Sequence, residues 1–259
     1  MKTKALVITL ALMLIAAAAI KVMFFPSVKD AWFSMDARSL QKAPAGLMVV
    51  RPTHFAFLRQ KGILRIPAPH SPGGTNQWIM GRNVPLADVM AAAFDRNPSR
   101  VVLPPETAAG RFDFLITTTS LSHFQEAVRR KLGYTAQMET RDASVLALKV
   151  ADASLPGLTA AGADEKRGVV FRNEKLYFKQ MPLKVIVNIF GRFFEVPMVD
   201  QTGLTNLYDF SLNWNSKTEQ RYEDGTMTPD ELAPVIGPLG LKIEPDNASL
   251  DMLVVKKTD

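Results

Sequence analysis

Three aspartates occupy settings in which a carboxylate could do chemistry. Asp113 lies between Phe112 and Phe114, and Asp209 lies between Tyr208 and Phe210. In a strand the flanking aromatics share one face and the aspartate points to the other. An aromatic core face therefore leaves each carboxylate two uses. It can contact a ligand or partner, or it can accept backbone N–H groups from a neighbouring turn such as Thr202-Gly203-Leu204. Paired carboxylates that flank one bond are the machinery of glycoside hydrolysis, and Asp113, Asp200 and Asp209 are the residues such chemistry would use. Trp214, at the end of an apolar stretch, is either core or the rim of a binding surface.

Other reactive residue types are scattered. His54, His70 and His123 have no metal-ligand spacing. Ser71 and Ser122 lack a nucleophile-elbow setting. Gly73-Gly74 precedes no strand-to-helix phosphate loop. The chain contains no cysteine, which removes thiol catalysis, disulfides, iron–sulfur clusters and cysteine zinc sites. The expectation is a chain without catalytic residues, metal or cofactor. Net charge is +6, from 31 basic and 25 acidic residues, and Arg129-Arg130-Lys131 reads as a solvated helix face. No nucleic-acid partner is expected.

The elements that must position these residues are written twice. The first half runs Asn83-Val84-Pro85-Leu86, a helical apolar stretch through Phe94, Arg100 to Leu103, and Phe112-Asp113-Phe114. The second runs Gln180-Met181-Pro182-Leu183, a helical face including Ile186 and Phe190, Val196 to Val199, and Tyr208-Asp209-Phe210. Each half continues to a helix closed by Leu132-Gly133 or Leu239-Gly240. In the first half a hairpin is expected to follow, residues 134–140 with 145–150 around Arg141-Asp142-Ala143, and in the second half closing strands at 241–244 and 252–256. Residues 215–226 form an inserted polar loop of the second copy. A diverged tandem repeat of this kind points to paired small modules. The expected fold is α+β, two tandem modules of the order strand-helix-strand-strand-helix-strand-strand. The boundaries are 26–46 for a stalk, 47–150 for the first module with an N-terminal strand extension, 151–167 for an Ala/Gly-rich linker, and 168–259 for the second module.

The N-terminus carries an export signature. Lys2 and Lys4 precede an uncharged run at residues 5–20, and apolar sequence resumes at Val22-Met23-Phe24-Phe25 before Pro26. As a helix, residues 5–25 would span about 31 Å, the hydrocarbon thickness of a bilayer. Residues 1–25 are thus expected to be a signal anchor, single-pass in the bacterial inner membrane with the bulk extracytoplasmic. The alternative is a signal peptide cleaved near Ala19, giving a secreted or periplasmic protein.

Each half loosely resembles the short secretin-and-TonB N-terminal domain, a small envelope docking module. More of the chain resembles an uncharacterised exported bacterial family described as soil-associated. That resemblance is carried by Val84-Pro85-Leu86, Leu103-Pro104-Pro105, Phe112-Asp113-Phe114, the run from Val199 to Leu204, Tyr208 to Trp214, and Gly240-Leu241-Lys242. It implies an export segment and an extracytoplasmic α+β protein, and it carries no reaction. The expected function is a non-enzymatic, membrane-tethered docking protein with an envelope protein as partner. An envelope-polymer hydrolase and a sensory ectodomain are the alternatives, and the oligomeric state is open.

Overall fold

The computed structural model describes residues 32–54, 62–67, 77–107, 110–118, 120–162, 166–224 and 227–258, of which 67, 77 and 222–224 are described by their backbone alone. The expected anchor at 5–25, the first residues of the stalk, His70 and Ser71 lie outside them. Among the described residues the fold is mixed α+β, with twelve strands in three four-stranded sheets and six α-helices. No helix among them is long and apolar enough to cross a membrane.

The chain divides into two compact units. The first comprises residues 1–95, 104–135 and 256–259. It contains β1 (Met48–Pro52), β2 (Gly62–Pro67), β3 (Gln77–Pro85) and β5 (Arg111–Ile116), in the sheet order β1-β5-β3-β2. All three neighbour pairings are antiparallel. Helix α1 (Ala37–Gln41) is capped by Asp36, and its segment covers one face of this sheet. There Phe33, Leu40 and Ala43 pack with Ile66, Trp78, Met80 and Leu115. Helices α2 (Leu86–Ala93) and α3 (Leu121–Leu132) serve the same unit. Pro85 stands at the N-cap of α2 with extended backbone, where its missing N–H costs nothing. Ser120, not Ser122, caps α3 through the His123 N–H, and Gly133 closes it at φ 71°, a left-handed conformation that glycine takes without a Cβ clash. Phe124 and Val128 of α3 are fully buried, and the Phe124 ring lies 5.3 Å from that of Phe114 on β5.

The second unit comprises residues 96–103 and 136–255. One of its sheets has the order β7 (Thr159–Ala160), β11 (Tyr208–Asn213), β9 (Lys175–Met181), β8 (Gly168–Arg172). Helices α4 (Lys184–Phe190), α5 (Ser216–Asp224) and α6 (Pro229–Ile236) belong to this unit. Phe178, Phe210, Leu212, Ile186, Phe190, Leu232 and Ile236 form a common core. The rings of Phe178 and Phe210 stack at 4.7 Å. Thr228 and Glu231 make a capping box at α6.

The remaining sheet has the order β10 (Met198–Asp200), β6 (Tyr134–Val150), β12 (Leu241–Lys257), β4 (Val101–Val102). Here the expected hairpin at 134–150 and the separate closing strands at 241–244 and 252–256 give way to two continuous strands of 17 residues each. They run antiparallel: the Ala151 N–H donates to Gly240 O and the Thr258 N–H to Gly133 O, both at 2.8 Å. Polar residues read as turns, such as Arg141-Asp142, instead lie within these strands. Nearby, Thr140 donates to Asp251, Ser144 donates to Asn247, and Lys149 pairs with Glu244 and Asp246. Neither Arg141-Asp142-Ala143 nor Asp246-Asn247 brings the glycine that a tight reversal favours. The expected linker also contains a strand, β7, and the inserted polar loop contains helix α5.

Candidate functional site

The two aspartates between aromatics turn out to hold backbone. In the first unit, Arg82 and Asn83 of β3 stand opposite the single residue Asp113 of β5, since the pairing shifts between Gly81↔Phe114 and Val84↔Phe112. This is a β-bulge, two residues facing one. Asn83 adopts φ 52°, and its N–H donates to the Asp113 carboxylate at 3.0 Å. The Thr53 hydroxyl donates at 2.7 Å and the His54 N–H at 3.0 Å. Arg51 Nε lies 3.4 Å away. The side chain of Asp113 is 0% exposed, so its charge is tolerable only because these donors surround it. Arg82 is buried as well and donates to the Phe33 carbonyl at 2.7 Å. Burial lowers its pKa while the charge of Asp113 opposes the shift.

The second unit repeats the device with less burial. Lys179 and Gln180 face Asp209, the pairing shifting between Tyr208↔Met181 and Phe210↔Phe178. Gln180 adopts φ 51° and donates its N–H to Asp209 at 2.8 Å, and Lys179 Nζ lies 3.5 Å from the same carboxylate. Asp200 accepts from the Thr202 N–H at 3.0 Å and the Thr202 hydroxyl at 2.7 Å, an Asx turn. The backbone donors expected from the Thr202 turn therefore reach Asp200. Asp113 and Asp209 instead take backbone donors from the bulge residues Asn83 and Gln180, 30 and 29 positions earlier, and Asp113 takes a second from His54. Among the described residues no cluster of three or more His, Asp or Glu could hold a metal ion.

Trp214 leads to a different kind of site. Its backbone N–H donates to Glu174 O at 2.7 Å, its ring lies 6.0 Å from that of Phe190, and it is 6% exposed. It lines a cleft of about 450 Å³ together with Val169 and Phe171 of β8, Leu176 and Phe178 of β9, and Val185 and Ile189 of α4, with Glu219 of α5 as its charged member. Seven of these eight side chains are apolar, which suits a hydrophobic group and supplies no acid–base pair. A second hollow of about 450 Å³, bounded by Ala160, Ala161, Gly162, Gln180, Asn206 and Leu207, holds no titratable side chain.

The rim of the apolar cleft continues into β8. Val169, Val170 and Phe171 are 46%, 58% and 54% exposed. The hairpin from β8 to β9 turns at Asn173 and Glu174, with φ 51° and 55°, the two-residue geometry that follows strand twist. β8 is not among the strands expected from the sequence. The signal was present: two β-prone runs, Gly-Val-Val-Phe-Arg and Lys-Leu-Tyr-Phe-Lys, separated by two residues that begin with asparagine.

A family model described as a protein of unknown function, DUF3738, matches residues 87–258. The chain belongs to that family. Within this DUF3738 protein the matched region runs from the first turn of α2 to just past β12, and so includes both bulge aspartates and the Trp214 cleft. No curated protein and no solved structure matches the chain.

Proposed function

We propose that this chain is a non-enzymatic, membrane-tethered extracytoplasmic protein that docks an envelope protein through the apolar cleft beside β8. The observation that carries the reading is the contrast between two kinds of residue. The carboxylates that could serve a hydrolase hold the chain's own backbone, whereas the surface chemistry left for a partner is the Trp214 cleft with its exposed rim of Val169 and Phe171. Contiguous exposed apolar surface of this kind marks an interaction site.

Tethering rests on residues 5–25, whose length and apolar character suit a single span in the bacterial cytoplasmic membrane. Cleavage near Ala19 would leave the same docking surface on a free protein. The resemblance of each half to the short secretin-and-TonB N-terminal domain fits an envelope docking role, as does the resemblance to an exported, soil-associated family. We further read the fold as a duplication. The order β1-β5-β3-β2 has its counterpart in β7-β11-β9-β8, both central strands carry the same bulge and aspartate, and β6 and β12 have equal length.

The test is site-specific photo-crosslinking in the native membrane. A photoreactive residue at Ile189 of the full-length chain should give an adduct with a protein of defined mass, lost when Phe171→Asp is added. Adducts with lipid alone, or a protein adduct indifferent to Phe171→Asp, would count against the proposal.

A further inference from the structure

Strand β8 ends the order of its sheet, so among the described residues no strand lies on its outer edge. An edge with unpaired backbone groups and three consecutive exposed apolar side chains is a template for another strand, and proteins that remain single normally blunt it with an inward charge, a proline or a bulge. β8, with the sequence Gly-Val-Val-Phe-Arg, has none of these within its apolar stretch. A lipid surface would not meet the edge's need, because hydrocarbon leaves backbone N–H and C=O groups unsatisfied.

We infer that the occupant of this edge is β8 of a second copy of the chain, paired antiparallel about a twofold axis through Val170. The sequence is self-complementary in that one register. Val170 then faces Val170 of the other copy, and Val169 faces Phe171 in both directions, a β-branched–aromatic cross-strand pair. Gly168 faces Arg172, Arg167 faces Asn173, and Lys166 faces Glu174. Neighbouring registers are penalised. Shifting the pairing by one position one way sets Arg167 opposite Arg172, and the other way sets Val169 opposite Arg172. Like charges directly opposite each other destabilise a strand pair. Among the described residues that flank β8, the cations Lys166, Arg167, Arg172 and Lys175 stand beside the acid Glu174, so a partner strand that brings an acid to face Lys166 suits this edge. The second copy does so with Glu174.

Opposed residues of an antiparallel pair lie on one face, so the clefts beside Val169 and Phe171 in the two copies open on the same side of an eight-stranded sheet. The inference thus deepens the docking proposal, yet the pairing itself requires no envelope partner. A shared membrane tether would raise the effective concentration of one edge for the other.

The chain's lack of cysteine makes the test direct. In purified full-length protein, Val170→Cys should form a disulfide-linked dimer under mild oxidation, since opposed Cα atoms in antiparallel strands fall within disulfide range. Val196→Cys, also exposed but outside β8, should give only the collisional background. Val170→Lys places two cations on the axis and should leave a folded monomer by sedimentation and circular dichroism. Lys166→Glu and Glu174→Lys should each weaken the dimer, and the double exchange should restore it. A wild-type chain that stays monomeric at every concentration, a Val170→Cys chain that crosslinks no better than Val196→Cys, or a dimer indifferent to Val170→Lys overturns the inference. Because no envelope component is present, these failures leave the Ile189 crosslink to stand or fall on its own.

Discussion

At the residue scale the two bulge aspartates differ in how much depends on them. Asp113 is fully buried, with Asn83, His54 and Thr53 donating to it and Arg51 and Arg82 nearby. Asp113→Ala leaves those donors and cations without their anion, and removing one partner of a buried ion pair costs about 3–5 kcal/mol. Asp209 is more exposed, its side chain at 21%, and Asp209→Ala should cost only about 1 kcal/mol. Chemical denaturation midpoints of the two variants test this ordering; equal costs would contradict it. Asp88 behaves differently again. Burial raises its pKa to about 6 from 3.8, with Arg111 opposing. An acid whose folded pKa is raised binds its proton more tightly in the folded state. Its favourable contribution is therefore present below about pH 4 and is lost as pH climbs toward 6. Asp88→Asn should thus gain stability over wild type as pH rises from 4 to 7, on the order of 2 kcal/mol, and pH-dependent melting would show it. The presence of aspartate between aromatics was legible in the sequence. Backbone anchoring was one of the two uses the sequence offered, but the donors were not legible, because Asn83 and His54 lie 30 and 59 positions before Asp113 and Gln180 lies 29 before Asp209, and they meet only once the strands pair.

At the element scale, legibility followed hydrophobic period. α2, α3, α4 and α6 carry apolar residues at helical spacing and were readable, as were the cores of β5 and β11. β6 and β12 were readable as strands at 134–140, 145–150, 241–244 and 252–256 but not as continuous ones, because their middle sections are mostly polar: the stretch from Glu139 to Ser144 is exposed or half-buried throughout. Those positions gain their partners only from the facing strand. α5, Ser-Lys-Thr-Glu-Gln-Arg-Tyr-Glu-Asp, has almost no apolar face and read as a loop for the same reason. Caps were more transparent. The Thr228–Glu231 box spans one helical turn before an apolar run, so Thr228→Ala should lower stability by about 1 kcal/mol, measurable by thermal or denaturant unfolding. Gly81 makes a sharper case. A Cβ there would come within 2.1 Å of the Phe114 ring, so Gly81→Ala should destabilise by about 1–3 kcal/mol or more, and the companion change Phe114→Leu should recover part of that loss.

At the scale of the whole molecule the expectation of two modules joined by a linker at 151–167 meets an interleaved chain. The path crosses between the units after residues 95, 103, 135 and 255. β4, from the first half of the sequence, pairs parallel with β12 from the second, and β10 pairs parallel with β6. A chain cut after residue 150 therefore strips β6 and β4 of strand partners. Residues 151–259, which lose β6 and β4 from one sheet, should not fold alone, and co-expression with residues 26–150, which keep the whole sheet of the first unit, should rescue them. An independently cooperative 151–259 chain with a dispersed amide spectrum would refute that prediction. Pairing between distant strands is set by topology, which local sequence does not record.

In the proposed arrangement β8 and its cleft are the covered surface of this protein, while the aspartate bulges serve the fold. Amide hydrogen exchange compares the full-length chain in its native membrane with the purified chain diluted until no association is detected. Slowed exchange in the membrane should concentrate in residues 168–181 and around Trp214, with residues 111–116 unchanged. Slowing confined to the neighbourhood of Asp113, or none at 168–181, would contradict it.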